Sequence, residues 1–285
     1  MGLQLVENNY NTNIQDLHVN LSRQLSTARY DLTINEKMLL YCALARMDQK
    51  KELKLGWFYP ITVRDFAEMR GIPLKDARHI IETAEKSLFD KTLQIKIGED
   101  IFKTRWITAS TFRKEEDTFY IQWAQGIEQY ITELKNYFSI STSVLQKIKS
   151  KHTQRILELI RDHTHHRQSE GYIGFTIDEF LSMIEAPEYY KEYKYLKKEV
   201  LLIAIKELFD KELYYCVLRE YKVGRQVKSF KIFFRTFNSD KDWAALKALS
   251  PEDRPYSFNW SRYPEANPEA VKAITTSKFK DKGNK

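Results

Sequence analysis

Cysteine is scarce in this sequence, and long apolar runs are absent. Cys42 and Cys216 are its two cysteines, and both lie within apolar segments. That placement favours buried thiols in a reducing compartment and excludes a disulfide framework. No run approaches the roughly 18 apolar residues that cross a bilayer, and the first residues do not resemble a signal peptide. We therefore expect a cytoplasmic protein without a membrane partner.

Motifs for catalysis and cofactor binding are also missing. The sequence has no glycine-rich phosphate loop, so it offers no support for ATP-driven chemistry. Its one histidine cluster, "HTHH" from His163 to His166, lacks the cysteine or carboxylate companions of a zinc site. A nicking enzyme would hold such histidines on a strand, whereas these end a predicted helix. The tyrosine pairs 189–190 and 214–215 are more typical of packing than of nucleophiles, so we expect neither an enzyme nor a cofactor.

The charge is unevenly distributed. The chain of 285 residues has a net charge of +7, with 18 basic and 18 acidic residues in 1–130, 19 and 14 in 131–237, and 9 and 7 in 238–285. This length favours two compact domains plus extensions. The excess positive charge in 131–237 favours a neutral unit beside a unit that faces a polyanion.

Two distant segments read almost alike: "KSLFDKTLQI" begins at Lys86 and "KELFDKELYY" at Lys206, an offset of 120. Apolar positions upstream match at helical spacing, which indicates a repeated buried helix face. Further upstream, "TVRDF" from Thr62 and "TIDEF" from Thr176 each have a threonine with a carboxylate three residues on, which predicts a capped helix before the "LFDK" helix in each copy. Alternating, strand-like segments follow each "LFDK". We expect Leu and Phe of "LFDK" to pack inward and the helix to lead directly into a hairpin strand.

The element order is the same in both copies: helix, short strand, helix, helix, strand, turn, strand. The longer first helices are predicted at 35–48 and 144–163, and the short strands at "WFYPI" and "GYIGF". This is the order of a winged helix-turn-helix. We therefore predict an α+β fold with two tandem winged-helix domains, 1–130 and 131–237, and a C-terminal extension, 238–285.

The last helix of the second copy has the pattern of a DNA-reading helix. If it starts near Tyr189, Lys191, Lys194 and Lys198 share one face at about 100° per residue, with Tyr190 and Lys197 at its edge. The wheel places four apolar residues on the opposite side: Leu196, Val200, Ile203 and Ala204. The rear half, "VLLIAIKELF", is predicted to sink into the core. Such a helix inserts its leading turns into a major groove.

Further basic candidates lie on the wing and on the first copy. The predicted hairpin "YKVGRQVKSF" carries Lys222, Arg225 and Lys228 around a glycine, which suits contact with phosphates or a minor groove. The matching helix of the first copy presents Lys75, Arg78 and His79, diluted by Asp76 and Glu82. We expect the first copy to contact DNA more weakly or to serve in pairing. The turn "FRKEED" reads as a solvated loop.

These segments resemble the RepB-like initiators of theta-replicating bacterial plasmids. The similarity runs from about Leu21 to Phe237 and is carried by "ARYDLTINEKMLLYCALARMD", "TQRILELIRDH" and, above all, the segment 193–208, "YKYLKKEVLLIAIKEL". The resemblance implies a protein that binds direct repeats (iterons) of origin double-stranded DNA as a monomer, mainly through its second domain. It also implies dimerisation through the first domain, repression of its own gene as a dimer, opening of an AT-rich segment, and recruitment of the host initiator and replicative helicase.

Alternatives stay open on the sequence alone. A winged-helix transcriptional regulator needs the same groove-reading helix, and a partitioning protein would bind one repeat array without supporting replication. Direct repeats of roughly two DNA turns beside an AT-rich stretch would favour an initiator. The extension 238–285 departs from the family pattern; Trp243, Trp260 and Tyr263 indicate that part of it packs on the body, and it has no assigned role.

Overall fold

The computed structural model describes residues 3–6, 10, 12–164, 169–237 and 239–248. Its first half contains β1 (His18–Ser22), α1 (Arg23–Thr27), α2 (Ile34–Arg46), β2 (Tyr59–Thr62), α3 (Val63–Arg70), α4 (Leu74–Leu88), β3 (Thr92–Ile97), β4 (Asp100–Arg105), β5 (Ile107–Arg113), β6 (Thr118–Trp123) and α5 (Glu128–Ile131). Its second half contains β7 (Tyr137–Ser141), α6 (Thr142–Lys147), α7 (Lys151–Thr164), β8 (Glu170–Thr176), α8 (Ile177–Met183), α9 (Tyr193–Tyr195), a π-helix (Leu196–Leu201), α10 (Leu202–Asp210), β9 (Tyr215–Val223), β10 (Gln226–Arg235) and α11 (Asp240–Ala248).

Each half holds a three-stranded antiparallel sheet of the same topology. The order is β2-β6-β5 in the first half and β8-β10-β9 in the second. In both, the strand that precedes the helix-turn-helix pairs with the second strand of the wing hairpin. The prediction of an α+β fold with two tandem winged helices is confirmed.

The repeated helix face is buried as predicted. Ile81 and Leu201, Ala84 and Ala204, and Leu88 and Leu208 are buried in equivalent places. Both threonine caps also form. Thr176 and Glu179 make a reciprocal capping box, while Thr62 accepts a hydrogen bond from the Asp65 amide. The Asp65 carboxylate instead forms a buried ion pair with Arg46.

The first copy differs from the second by an additional hairpin. The segment "FKTRWITASTF", from Phe102 to Phe112, lies in two strands, β4 and β5, which are separated at the buried Trp106. β3 and β4 form a two-stranded sheet of their own, and in chain order this hairpin lies between α4 and the wing strands β5 and β6. The predicted direct passage from "LFDK" into the wing is therefore wrong for the first copy. Phe89 is 41% exposed and lies under the Arg105 guanidinium, not in the core.

Contacts between the halves cross the predicted division at residue 130. β1 pairs with β7 from His18 opposite Ser141 to Ser22 opposite Tyr137. The Lys149 ammonium donates to the Arg70 carbonyl at 2.9 Å. The helix predicted at 144–163 is broken between α6 and α7, where Ile148 is extended. The division into 1–130, 131–237 and 238–285 stays a prediction.

A buried ionic cluster joins the two halves. Glu158 on α7, 1% exposed, accepts hydrogen bonds from the ammonium of Lys37 on α2 and from the hydroxyls of Tyr30 and Tyr41, at 2.8, 3.1 and 2.6 Å. Arg155 lies 3.5 Å from the same carboxylate and donates to backbone carbonyls of Leu25 and Ala28. Burial lowers the pKa of Lys37 to about 8, although the Glu158 charge opposes that shift. The cluster fixes α7 against α2.

Part of the C-terminal extension packs on the body. Trp243 and Leu246 of α11 pack with Tyr215, Val217 and Phe233 in a small cluster separate from the main core. The prediction for Trp243 is confirmed. Trp260 and Tyr263 lie outside the described residues. Both cysteines, Cys42 and Cys216, are buried free thiols, as predicted.

The buried cluster predicts a large cost for Glu158→Gln. This nearly isosteric change leaves the charges of Lys37 and Arg155 uncompensated, so we expect a loss of about 3 to 5 kcal/mol in unfolding free energy. Urea denaturation followed by circular dichroism measures it. The control is Asp31→Asn, which removes a half-exposed ion pair with Lys151 at the same helix and should cost no more than about 1 kcal/mol. Equal losses for the two variants would contradict the role of Glu158.

Candidate nucleic-acid interface

The helix that the sequence predicts to bind DNA starts later in the chain than expected. A 3-10 turn covers Glu188–Lys191, Glu192 is extended at ψ 102°, and α9 begins at Tyr193. The extended Glu192 ends the turn and breaks the continuity on which the helical wheel depended. The predicted start near Tyr189 is wrong, and Lys191 precedes the helix. α9, the π-helix and α10 form one continuous helix from Tyr193 to Asp210, named here the recognition helix.

The π-helix sets which residues of the recognition helix face out. Turns with i→i+5 hydrogen bonds advance each residue by less than the about 100° of an α-helix. Residues four positions apart therefore project from nearly the same side of the helix, in a line along its axis, where the recognition helix passes through the π-helix. The exposed residues of this line are Lys194, Lys198, Leu202 and Lys206, and the buried residues behind it are Leu196, Val200, Leu201, Ala204 and Leu208.

Two apolar residues on this helix are exposed against expectation. Ile203, predicted to face inward, is 47% exposed, and Leu202 is 43% exposed. The wheel of constant 100° steps failed here because the wider turn shifts every later residue around the axis. The prediction that the rear half of the helix sinks entirely into the core is wrong.

The candidate lysines of this helix divide into paired and unpaired groups. Ion pairs join Lys191 to Glu188 at 2.5 Å, Lys194 to Glu192 at 2.8 Å and Lys197 to Glu220 at 2.7 Å. Hydrogen bonds to these carboxylates raise the pKa of Lys191 and of Lys194, so both stay cationic at neutral pH. Exposed pairs of this kind stabilise a protein little, so a phosphate competes with them easily.

Lys198 is the exposed cation of the recognition helix that is free of such a pair. No carboxylate among the described residues lies within 4.0 Å of it, and its side chain lies in the same line as Lys194. An unpaired ammonium at the centre of an exposed helix face is available for a phosphate or a base edge without first breaking a bond.

Tyr190 does not lie at the edge of the exposed face, so that prediction is wrong. Its side chain is buried, with ring centroids 4.3 Å from Tyr189 and 6.5 Å from His152 on α7. Burial raises the pKa of Tyr190, which keeps the phenol neutral. Tyr189 is exposed in its place and donates to Glu199 at 3.3 Å. Sequence reasoning missed His152, because nothing in its spacing indicates the contact.

The second-copy wing carries an unpaired basic group. Gly224, at φ 62°, opens the two-residue turn between β9 and β10, a conformation that glycine adopts without strain. Lys222, Arg225 and Lys228 are exposed around it, and within the described part of the chain none of them has a carboxylate partner at 4.0 Å or less. A bulge between Val227 and Ser229 twists the strand beside the tip.

The first copy is less basic, as the sequence predicts. Lys75, Arg78 and His79 are exposed on α4, but Arg78 forms an ion pair with Asp117 in the wing loop and Asp76 is exposed beside them. In that loop Arg113 pairs with Glu116 at 2.9 Å. This surface has fewer free cations than the second copy.

The described residues show few features of a metal or membrane site. Across the described ranges, no group of three His, Cys, Asp or Glu side chains could hold a metal ion. The His163 ring packs 6.1 Å from Tyr172 and 6.0 Å from Phe234, while His165 and His166 lie outside those ranges. No helix of the described residues is both long and apolar enough to cross a membrane.

Comparison with known proteins matches both halves to replication initiators. Residues 18–161 match the family described as "Initiator Replication protein, WH1", and residues 176–234 match "Initiator Rep protein, WH2". A "Replication initiation protein" of Escherichia coli is 25% identical over 206 residues, covering 68% of this chain and 63% of that protein. The chain thus spans less than two thirds of that relative. The "PI protein" of Escherichia coli is 26% identical over 258 residues, covering 77% of this chain and 84% of that protein.

A solved structure supports the same fold. The Pi initiator protein, crystallised in complex with iteron DNA, superposes with a TM-score of 0.67 at 18% sequence identity. The match covers 79% of this chain and 99% of the other.

Removing the unpaired charge should weaken DNA binding. We expect Lys198→Ala to lower affinity for a specific duplex about tenfold or more and to reduce the slope of log affinity against log salt by about 1 if the ammonium meets a phosphate. The test is fluorescence anisotropy over a KCl series with a duplex selected in vitro by the full chain. Lys241→Ala, on α11, is the control. Unchanged affinity in Lys198→Ala would remove this residue from the interface.

The contact between His152 and Tyr190 predicts a pH dependence of stability. Burial, with a smaller contribution from the Lys151 charge, lowers the pKa of His152 to about 4, while Asp31 opposes this shift. In the unfolded chain a histidine has a pKa near 6.5, so the neutral His152 side chain stabilises the folded state fully above that pH, and this stabilisation is lost as the pH falls towards 4. Relative to His152→Phe, the free energy of unfolding of the wild type should therefore fall by up to about 2 kcal/mol between pH 7.5 and 5. Urea melts at both pH values measure this, with exposed His18→Asn as control; a constant difference would contradict it.

Proposed function

The chain belongs to the initiator replication protein family, and from that membership we propose that it starts plasmid replication by binding direct repeats (iterons) at an origin. The observation that carries the proposal is the match of both winged-helix models in order, the second of them over the residues that hold the recognition helix and the basic wing. One relative is a replication initiation protein by name, and the similar solved structure is that of an initiator bound to iteron DNA.

We propose that the second copy does most of the sequence reading. Its recognition helix enters a major groove with Lys194 and Lys198 leading, and its wing places Lys222, Arg225 and Lys228 against phosphates or the adjacent minor groove. Lys197 and Lys191 contribute after exchanging their carboxylates for phosphates. Support comes from the exposure of Lys191, Lys194 and Lys198 and from the three exposed wing cations, which have no carboxylate partner among the described residues.

We propose a secondary DNA contact for the first copy, through Lys75, Arg78 and His79. The buried cluster around Glu158 holds the two copies in one arrangement, so a single repeat would meet both. Weaker binding is expected here because Arg78 is engaged by Asp117. A repeat of roughly two DNA turns would accommodate both helices, since half-sites one turn apart lie on one face of the duplex.

The later steps of initiation belong to the same proposal. Bound monomers would bend the repeat array and help to open an adjacent AT-rich segment, with binding energy as the source of work. The host initiator and replicative helicase would then join the complex. A homodimer in equilibrium with the monomer would repress the gene, with pairing through the first domain. The protein would act in the cytoplasm, without a cofactor.

An origin test separates an initiator from a transcriptional regulator. A plasmid whose sole replication gene is this one, carried with its upstream repeats, should persist in a host. The Lys194→Glu/Lys198→Glu double variant should abolish persistence, while Lys241→Ala should retain it. Repression of a reporter promoter by the wild type, combined with no persistence of the plasmid, would instead assign the chain to the regulators.

A further inference from the structure

The recognition helix exposes an aliphatic side chain in the middle of its cationic line. Leu202 is 43% exposed, and it follows Lys194 and Lys198 at four-residue steps that the π-helix keeps in line. Lys206 comes one turn later, with its side chain 76% exposed and paired to Asp210. Because the exposed part of this leucine does not pack in the core, it adds little to the stability of the fold. A contact with a molecule bound at this face would account for it.

The line has the length of a short base sequence. Lys194 and Leu202 are eight residues apart, which is about 12 Å along a helix, or the rise of three to four base pairs. If Lys194 and Lys198 are in contact with a major groove, Leu202 faces the floor of the same groove. This step rests on the proposed function.

The chemical groups in the major groove determine which part of a base pair Leu202 can contact. Edges of base pairs in the major groove present donors, acceptors and one apolar group, the C5-methyl of thymine. A leucine side chain has no polar atom, so the thymine methyl is the group it can contact without leaving a donor or acceptor unpaired. We propose that Leu202 is a specificity-determining residue that recognises a thymine through its C5-methyl group, with Ile203 covering the edge of that contact.

A protein segment is the alternative occupant of this surface. Leu202 and Ile205 also line an open groove of about 640 Å³ against β9, which a protein segment could fill. The same groove is lined by Lys197, Arg219 and Lys222. Its cations outnumber its one acid, Glu220, which Lys197 already engages. This charge favours a polyanion over an apolar peptide as the occupant of the groove.

The test removes single methyl groups from the DNA. A duplex is selected in vitro with the full chain, and each thymine is replaced in turn by deoxyuridine, which lacks only the methyl. For the wild type, one replacement beneath the recognition helix should weaken binding about three- to fivefold, the value of one buried methyl. With Leu202→Ala the same replacement should have no effect. Leu55→Ala, which removes a leucine of similar exposure (41%) from the first half, should behave as the wild type.

Each outcome bears on a different claim. Failure of the full chain to select any duplex would overturn the proposed function itself. Specific binding without methyl dependence, a selected site without thymine beneath the helix, or methyl dependence that persists in Leu202→Ala would overturn the role of Leu202 alone. Loss of binding to a protein partner in Leu202→Ala, with DNA affinity unchanged, would assign the groove to that partner. Circular dichroism of Leu202→Ala, and of Leu202→Gln as a second variant, establishes that the fold is retained.

Discussion

A carboxylate with almost no access to solvent must be surrounded by positive charge and hydrogen-bond donors, and Glu158 satisfies this need with groups from both halves of the chain. Lys37 and Tyr41 come from α2 and Arg155 from α7, so the two winged helices cannot move apart without stranding a buried charge. Any other arrangement of the two halves would also leave the Glu158 carboxylate without its partners, at the same cost in free energy. A DNA-binding protein with two reading units needs this constraint, because the spacing of the units decides which repeat length fits.

The two halves are alike in their cores and differ at their surfaces. Ala84 and Ala204 lie at equivalent buried positions, as do Leu88 and Leu208. Outside the core, the first copy has the additional β3–β4 hairpin, and its exposed Arg78 pairs with Asp117. In the second copy α10 leads directly to the wing strand β9, and the wing cations Lys222, Arg225 and Lys228 have no carboxylate partner among the described residues. The same fold therefore carries two surfaces that differ in free positive charge.

The fold class, the tandem order, the threonine caps and the exposed wing cations were predictable from the sequence, because each follows from local periodicity and turn chemistry. The position of Tyr190 was not, since its burial depends on His152, which lies 38 positions earlier on another helix. The exposure of Leu202 and Ile203 was also unpredictable, because a wheel assumes a constant angle per residue and the π-helix changes that angle. The split at Trp106 arises from packing against Tyr30, at 5.4 Å between ring centroids, a long-range contact without a local signal.

The wide turn between Leu196 and Leu201 separates the anchored part of the recognition helix from its leading part. The π-helix takes up about one residue more than the α-helical turns it replaces, so loss of one residue there would restore ordinary helical pitch without turning Lys194 relative to Ala204 and Leu208. Loss of one residue from the α-helical turns after Leu202 would instead rotate one end of the helix against the other by about 100°. At the π-helix, therefore, one lost codon shortens the helix while the same side chains still face outward.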